Sequence, residues 1–215
     1  MKWVDEIRAR VGTRVLESKL KRFTRNRVVC NFNEAKHIGI IYNATQYVSF
    51  EIIKDFTKEL SLNLAKVTVL GYVDSKKLID HYLYRKGFDF FSRIDLNWYY
   101  KPISATADQF INEPFDLLID LSLEDYFPIR YITALSPASF KVGRYTHDDP
   151  SLDLMIDIER EKQSMKSLHM EIIEDGKTVV HPSEIESDVE KKTETELQLR
   201  FLINQLKHYL SIIKK

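Results

Sequence analysis

The chain has 215 residues, and its 32 Lys and Arg residues are balanced by 32 Asp and Glu residues. This length indicates one domain with an appendage, and 44% hydrophobic residues suffice for a full core, which excludes a wholly disordered or fibrous chain. The zero net charge excludes a uniformly basic nucleic-acid binder and an acidic polyanion mimic. The charge is nevertheless uneven along the chain. Residues 1–36 carry ten Lys or Arg against four Asp or Glu, a net +6, and residues 157–196 carry six against twelve, a net −6.

The sequence offers no sign of export or of a membrane span. Cys30 is the one cysteine, which excludes an intramolecular disulfide and a thiolate zinc cluster. The N-terminal residues have scattered charges and no apolar core, so we expect no secretory signal. No apolar run approaches the roughly 18 residues that a transmembrane helix needs. These features predict a cytoplasmic protein.

Residues 1–30 predict a basic helical segment, with a partial helical pattern over residues 3–22. The apolar residues of this pattern fall on one side of the helix, namely Trp3, Val4, Ile7, Val11 and Val15. Gly12 and Thr13 weaken the middle of the helix.

Residues 37–158 alternate between strand-like and helix-like patterns. Short apolar runs predict strands at His37–Tyr42, Ala65–Leu70 (closed by Gly71), Phe88–Ile94, Phe115–Asp120 and Ser139–Gly143, with a sixth at Leu152–Ile158. Between them, helical spacing or capping residues predict helices at 47–61, Ser75–Tyr84, Thr106–Asn112 and Pro128–Leu135. This alternation is typical of βαβ units. It predicts an α/β fold with a single Rossmann-like, doubly wound, mostly parallel sheet of five or six strands.

The last third of the chain divides in two. Residues 159–192 are rich in Glu and Lys and predict an exposed acidic insertion, with a small hairpin formed by Leu168–Ile173 and Thr178–Val180. Residues 193–215 predict a C-terminal helix with an apolar stripe made of Leu199, Leu202, Ile203, Leu206, Tyr209, Leu210 and Ile213. We expect this helix to pack on the domain, and an interface with a partner helix is the alternative.

The carboxyl ends of the predicted strands are where an open parallel sheet binds ligands. Polar and aromatic residues at or just beyond these ends form the candidate ligand site: Asn43, Thr45, Asp74, Asp95, Trp98, Asp120, Ser122 and Arg144. Trp98 enters this list because it follows an aromatic strand and would lie in an exposed loop. The alternative is that these residues are polar loop starts and helix caps, which such positions favour in any case.

Signatures of cofactor chemistry and of catalysis are missing. No GxGxxG or GxxxxGK[ST] motif follows any strand, and the chain has only 6 glycines, so we expect no dinucleotide or P-loop site. There is no GxSxG nucleophile elbow, and the six histidines form no HExxH pair. Cys30 lies near Arg25 and Arg27, which can lower a thiol pKa, but a lone cysteine is more often structural. We therefore predict no catalytic residue, no cofactor and no metal.

The basic head offers a candidate anion- or RNA-binding surface. Its cations are Arg8, Arg10, Arg14, Lys19, Lys21, Arg22, Arg25 and Arg27. They could contact RNA phosphates or an anionic membrane surface. The alternative is a solvated face that pairs with the acidic segment of the same chain.

Two stretches carry a resemblance to a known family. Residues 115–122 (FDLLIDLS) and 132–143 (ITALSPASFKVG) resemble an uncharacterised family of small proteins from Bacteroidota, and residues 69–74, 87–91 and 95–98 support the match. The same stretch is distantly similar to the acceptor-binding half of heptosyltransferase-type glycosyltransferases. That similarity implies a Rossmann-like half that works with a second half. The Gly-Asp that those enzymes carry after their first strand is replaced here by Asn43-Ala44-Thr45-Gln46, so their catalytic acid has no counterpart.

The function that these observations favour is a non-enzymatic, cytoplasmic interaction or adaptor protein with a protein partner. A sugar- or nucleotide-binding, glycosyltransferase-like half domain that needs a partner is the first alternative. Association with RNA or the ribosome through the basic head is the second.

Overall fold

The computed structural model describes residues 2–62, 65–76, 87–147, 150–159 and 184–213. The hairpin predicted within residues 168–180 lies outside these residues, as does all but the start of the helix predicted over residues 75–84.

The described residues form six strands and five helices. In chain order these are α1 (Lys2–Leu20), β1 (His37–Asn43), α2 (Tyr47–Leu62), β2 (Lys66–Val73), β3 (Phe88–Ser92), a 3-10 turn (Arg93–Asp95), α3 (Ala105–Asn112), β4 (Leu117–Asp120), α4 (Phe127–Leu135), β5 (Phe140–Arg144), β6 (Leu154–Ile156) and α5 (Glu184–Ile212).

All six strands are parallel and lie in the order β3-β2-β1-β4-β5-β6. The register places Ile40 of β1 between Val69 of β2 and Ile119 of β4. This is the strand order of the Rossmann fold, so the predicted fold class is confirmed. The strand order reverses between β1 and β4, and this point is the topological switch point of the sheet.

Helices cover both faces of the sheet because the central strands are apolar on both sides. Along β1, Ile38 and Ile40 belong to one core cluster, which α2 and α5 complete. Ile41 points to the other face and joins a second cluster with α3 and α4. The helix α1 forms an outer layer, where Leu16 packs on Tyr131 and Ala134 of α4.

Two strand boundaries differ from the prediction. Gly71 was expected to end the second strand, but β2 continues to Val73. A Cβ atom at Gly71 would lie 2.6 Å from Cδ1 of Phe90, so the missing side chain makes room for the phenylalanine of the neighbouring strand. The third strand ends at Ser92 rather than Ile94, because the Asp95 carboxylate accepts a hydrogen bond from the Ser92 amide (2.8 Å) and the intervening residues form a 3-10 turn.

The buried face of α1 also differs from the predicted apolar stripe. Trp3 and Ile7 are exposed, and the side of the helix that packs on the protein is centred on Gly12 and Leu16. A Cβ atom at position 12 would lie 2.6 Å from the carbonyl oxygen of Tyr99 and 2.8 Å from Cζ of Phe127. The hydrophobic pattern did not predict this face because its central residue is a glycine. A glycine allows the helix backbone to approach its neighbours closely but adds no apolar side chain to the pattern.

The helix α5 starts at Glu184, nine residues before the predicted start of the C-terminal helix at residue 193. Glu and Lys are strong helix formers, so the charged composition that we interpreted as an exposed insertion is equally typical of a solvent-exposed helix. Most of the predicted stripe is buried in the core shared with α2, namely Leu199, Leu202, Ile203, Leu206 and Leu210. Tyr209, which we included in the stripe, is exposed.

Within the described ranges, no helix combines the length and the apolar character that crossing a membrane requires.

Candidate functional site

The site lies at the carboxyl edge of the sheet, around the switch point between β1 and β4. Asn43 is the last residue of β1 and Asp120 the last of β4, and the two strands are neighbours. The loop from Leu121 to Tyr126 rises between them and has one pocket on each side.

On the β1 side, three predicted residues come together in one hydrogen-bonded chain. The Oδ1 atom of Asn43 accepts a hydrogen bond from the amide of Thr45 (2.7 Å). The Oγ1 atom of Thr45 in turn accepts one from the amide of Asp74, at the end of β2 (2.8 Å). These polar side chains therefore hold the ends of two strands in place.

Asp74 is bound further by Arg93, in the 3-10 turn after β3, and by Tyr72 of β2. Its two carboxylate oxygens accept hydrogen bonds from Nε and Nη2 of Arg93, at 2.6 and 2.9 Å, and Oδ1 also accepts one from the hydroxyl of Tyr72 (2.8 Å). The hydrogen bonds from Arg93 lower the pKa of Asp74, whereas burial raises the pKa of Tyr72. At neutral pH the pair is thus an ionised carboxylate and a neutral phenol. Arg93 was not among the predicted site residues, because the prediction placed it inside a strand.

On the β4 side, Asp120 acts as a local cap. Its Oδ1 accepts a hydrogen bond from the Ser122 amide (2.9 Å) and its Oδ2 accepts one from the hydroxyl of Thr133 (3.2 Å). The Nε of Arg144 donates to the carbonyl of Ser122 (3.3 Å). The pocket that these residues line holds about 30 Å³, which is room for a water molecule or two.

The second pocket lies at the switch point itself and holds about 110 Å³. It is lined by polar residues after β1, by the loop after β4 and by α5, which are Asn43, Thr45, Gln46, Ser49, Leu121, Leu123, Glu124, Tyr126, Thr195 and Leu199. Ligand pockets for drug-sized molecules have about 300–1,000 Å³. The crevice that a Rossmann fold leaves open is therefore reduced to a small recess in this protein.

Tyr126 lines both pockets. Its ring lies 5.8 Å from that of Tyr72, and its hydroxyl donates a hydrogen bond to Glu124 (2.8 Å). Burial raises the pKa of Tyr126, so its hydroxyl stays protonated. Our sequence reasoning missed Tyr126 and Glu124. Their position directly after the fourth predicted strand was the signal that could have found them.

The other two predicted ligand residues lie away from both pockets. The carboxylate of Asp95 is engaged by the amide and the hydroxyl of Ser92, at 2.8 and 3.1 Å. Trp98 lies in the loop of residues 94–103, which we call the Trp98 loop, and its side chain is exposed, as the sequence suggested.

One cation of the basic head is buried. The Nη2 atom of Arg25 lies 2.6 Å from each carboxylate oxygen of Asp153, and its Nη1 donates to the carbonyls of Ala138 and Ser139, at 3.2 and 3.1 Å. These bonds tie the segment after α1 to the residues that precede β5 and β6. Arg25 is therefore occupied inside the protein, at the end of the sheet opposite the site.

The remaining cations of the basic head differ in their surroundings. Arg8, Arg10 and Arg27 lie 3.8, 3.9 and 3.8 Å from carboxylate oxygens of Asp5, Glu6 and Asp153, and the Nζ of Lys19 lies 5.8 Å from the ring centroid of Tyr131. Arg14, Lys21 and Arg22 are exposed and form no ion pair with a described residue. A phosphate-binding surface would therefore depend mainly on these three.

The described residues contain no group of three or more His, Cys, Asp or Glu side chains that could hold a metal ion. The fold and the site define a class: an all-parallel α/β protein of Rossmann strand order with a small recess of about 110 Å³ at its switch point. The chain belongs to the family of unknown function DUF6913, whose model matches residues 8–173. No curated protein and no solved structure matches the chain significantly.

Proposed function

We propose that this protein is a non-enzymatic, cytoplasmic interaction or adaptor protein. The observation that carries the proposal is the small size of the recess at the switch point, which Tyr126 and the α5 residue Leu199 line and which holds about 110 Å³.

The state of the polar groups at the strand ends supports this proposal. The carboxylates of Asp74, Asp95 and Asp120 each accept hydrogen bonds from within the protein. A general acid or base works best with a pKa near the operating pH, and the hydrogen bonds from Arg93 move the pKa of Asp74 away from neutrality. These carboxylates hold loops in place, and among the residues that the structure describes no nucleophile–base pair accompanies them.

A sugar- or nucleotide-binding half domain that works with a partner is the second candidate. The position of the recess at the switch point favours it, as does the lining of amide and hydroxyl groups from Asn43, Thr45, Gln46 and Ser49. The distant similarity to glycosyltransferase halves points the same way. A partner subunit would have to supply most of the binding surface.

Association with RNA or the ribosome is the third candidate. It would use the exposed cations Arg14, Lys21 and Arg22, since Arg25 is engaged with Asp153.

Thermal unfolding in the presence of two probes separates these functions. For an interaction protein we expect no change in Tm with 5 mM UDP-glucose and none with polyuridylate RNA at 50 mM NaCl. A ligand present at 100 times its Kd would add about 2.7 kcal/mol and raise Tm by several degrees.

The matched variants are Asn43→Ala, which alters the recess, and Asn26→Ala, which changes an exposed residue elsewhere. Stabilisation by UDP-glucose that Asn43→Ala abolishes and Asn26→Ala retains would establish the second function against our proposal. Stabilisation by RNA that disappears at 500 mM NaCl would establish the third.

A further inference from the structure

The Trp98 loop is held in one conformation by its own hydrogen bonds. The amide of Asn97 donates to the carbonyl of Lys101 (2.9 Å), and the side-chain oxygen of Asn97 accepts from the amides of Tyr99 (3.1 Å) and Lys101 (2.9 Å). A bridge between Leu96 and Pro102 closes the base of the loop. The loop thus has a hydrogen-bond network of its own.

Two further contacts tie the loop to α1. The hydroxyl of Tyr100 donates a hydrogen bond to Oδ1 of Asp5 (2.7 Å), and the carbonyl of Tyr99 lies against Gly12. Tyr100 has φ of 66°, and it is the non-glycine residue with positive φ in the described part of the chain. A tyrosine in this left-handed conformation costs free energy, and such strain persists where the surrounding structure enforces it.

The loop presents three large apolar side chains to solvent. The exposed fractions are 58% for Trp98, 64% for Ile94 and 54% for Ile103. The indole packs edge-on against the ring of Tyr99, with 5.4 Å between the centroids. A rigid, exposed tryptophan with aliphatic neighbours has the properties of a binding hot spot, since little conformational entropy is lost when it is buried.

The charges in and beside the loop balance one another. Arg93 is bound by Asp74 and Arg8 lies 3.8 Å from Asp5, while the loop itself contains one cation, Lys101, and one carboxylate, Asp95. Docking on an anionic membrane draws on a surplus of unpaired cations, each of which contributes about 1 kcal/mol near the surface. The surroundings of the Trp98 loop therefore favour an uncharged, apolar counterpart over lipid headgroups or nucleic acid.

We propose that the Trp98 loop is the anchor by which this protein binds a partner protein, and that the partner provides an uncharged apolar pocket with a hydrogen-bond acceptor for the indole N–H. Ile94 and Ile103 cover the rim of that pocket. This inference rests on the proposed interaction function and specifies its surface.

The test begins with photo-cross-linking in living cells. A benzoylphenylalanine at position 103 leaves Trp98 intact, and the same group at position 62, where Leu62 is exposed on α2, serves as the matched control. We expect one protein to be cross-linked from position 103 and not from position 62. A cross-link from position 62 alone would refute the loop as the interface and leave the adaptor function standing, whereas no cross-link from either position would refute both.

Binding of the identified, purified partner is then measured by calorimetry. We expect Trp98→Ala to raise Kd by about 30-fold or more, as for a hot-spot residue, and Ile94→Ser to raise it less. Leu62→Ala should leave Kd unchanged, and wild-type Kd should change less than about threefold between 50 and 500 mM NaCl. Because these side chains are exposed, the variants should keep the Tm of the wild type.

Three results would overturn the inference. One is a Kd that Trp98→Ala does not change. Another is wild-type binding to the partner that is lost at 500 mM NaCl. The third is binding to phosphatidylglycerol–phosphatidylcholine vesicles that Trp98→Ala abolishes, which would assign the loop to a membrane surface. Stabilisation by UDP-glucose would argue against the proposed function separately, whatever the result for Trp98.

Discussion

At the scale of single residues, the burial of Arg25 in the basic head depends on a partner far away in the chain. The side chain of Arg25 is 5% exposed and paired with Asp153, whereas that of Arg27 is 65% exposed and lies 3.8 Å from the same carboxylate. Both arginines belong to one basic run, and nothing in that run distinguishes them. The difference arises because the carbonyls of Ala138, Ser139 and Ser151 accept hydrogen bonds from Arg25 in addition to the carboxylate.

We expect Arg25→Ala to lower the free energy of unfolding by about 3–5 kcal/mol, because it leaves the buried carboxylate of Asp153 without its counterion. Arg27→Ala is the matched control, and its effect should stay within about 1 kcal/mol, as for exposed ion pairs. Urea denaturation of both variants measures the difference. Equal losses for the two would show that the Arg25 pair does not stabilise the fold.

Lys141 shows the same dependence on tertiary structure. The sequence predicts it within the fifth strand, and its side chain is fully buried. Its ammonium donates a hydrogen bond to the carbonyl of Ala134 (3.0 Å), near the end of α4, and lies 5.6 Å from the ring centroid of Phe23. The sequence alone cannot predict that this buried lysine has a structural role, because the carbonyl group and the aromatic ring that contact its ammonium come from other parts of the chain.

At the scale of elements, α1 illustrates how close packing can outweigh helix propensity. Alanine is a better helix former than glycine by about 1 kcal/mol. At position 12, however, the added methyl group would lie 2.6 Å from a backbone oxygen of the Trp98 loop.

We therefore expect Gly12→Ala to destabilise the protein, with a net loss of about 1–3 kcal/mol from overpacking. Ser18→Ala, at an exposed position of the same helix, is the control and should change stability by only a few tenths of a kcal/mol in the opposite direction. Thermal unfolding of the two variants tests this expectation. A rise in Tm for Gly12→Ala would mean that α1 is not held against the loop.

At the scale of the whole molecule, stability should decline on acidification in two steps. Burial is the main cause that lowers the pKa of His37 below its ordinary value of 6.5. The unfolded chain then binds more protons than the folded one as pH falls below about 6.5, so the free energy of unfolding decreases. Asp74 acts at lower pH, because its lowered pKa stabilises the fold above 3.8 and this contribution is lost as the carboxylate becomes protonated.

For the first step we expect His37→Gln to lose less stability than the wild type between pH 7.5 and pH 5.5. Glutamine can retain a hydrogen bond to the hydroxyl of Thr68, which lies 3.1 Å from the histidine ring, and it does not titrate. Urea denaturation at the two pH values gives the comparison, with His208→Gln, an exposed position on α5, as the control. The same loss in His37→Gln and in the wild type would exclude His37 as the group responsible.

Much of the fold followed from the sequence alone. The apolar runs around Ile40 and Ile119, separated by helical spacing, determined a parallel α/β sheet, because alternating strands and crossover helices bury such runs on both faces. The stripe that includes Leu202 and Leu206 determined that the C-terminal helix packs on the body. Both patterns are local. A helix or strand that is buried on one side requires apolar residues at its own periodicity, so the pattern is visible among neighbouring residues of the sequence.

Only the tertiary structure decided which side chains line the recess at the switch point and which charged groups are already paired within the protein. Tyr126 and Leu199, which line the recess, come from segments more than seventy positions apart, and the pairing of Arg25 with Asp153 spans 128 positions. Residue type and spacing do not predict such contacts, because the contacts form only when packed elements bring distant side chains within a few ångströms of each other. For this reason the sequence determined the class of fold, the candidate strand ends and the exposed position of Trp98, whereas the small size of the recess and the contacts between the Trp98 loop and α1 became visible only in the folded chain.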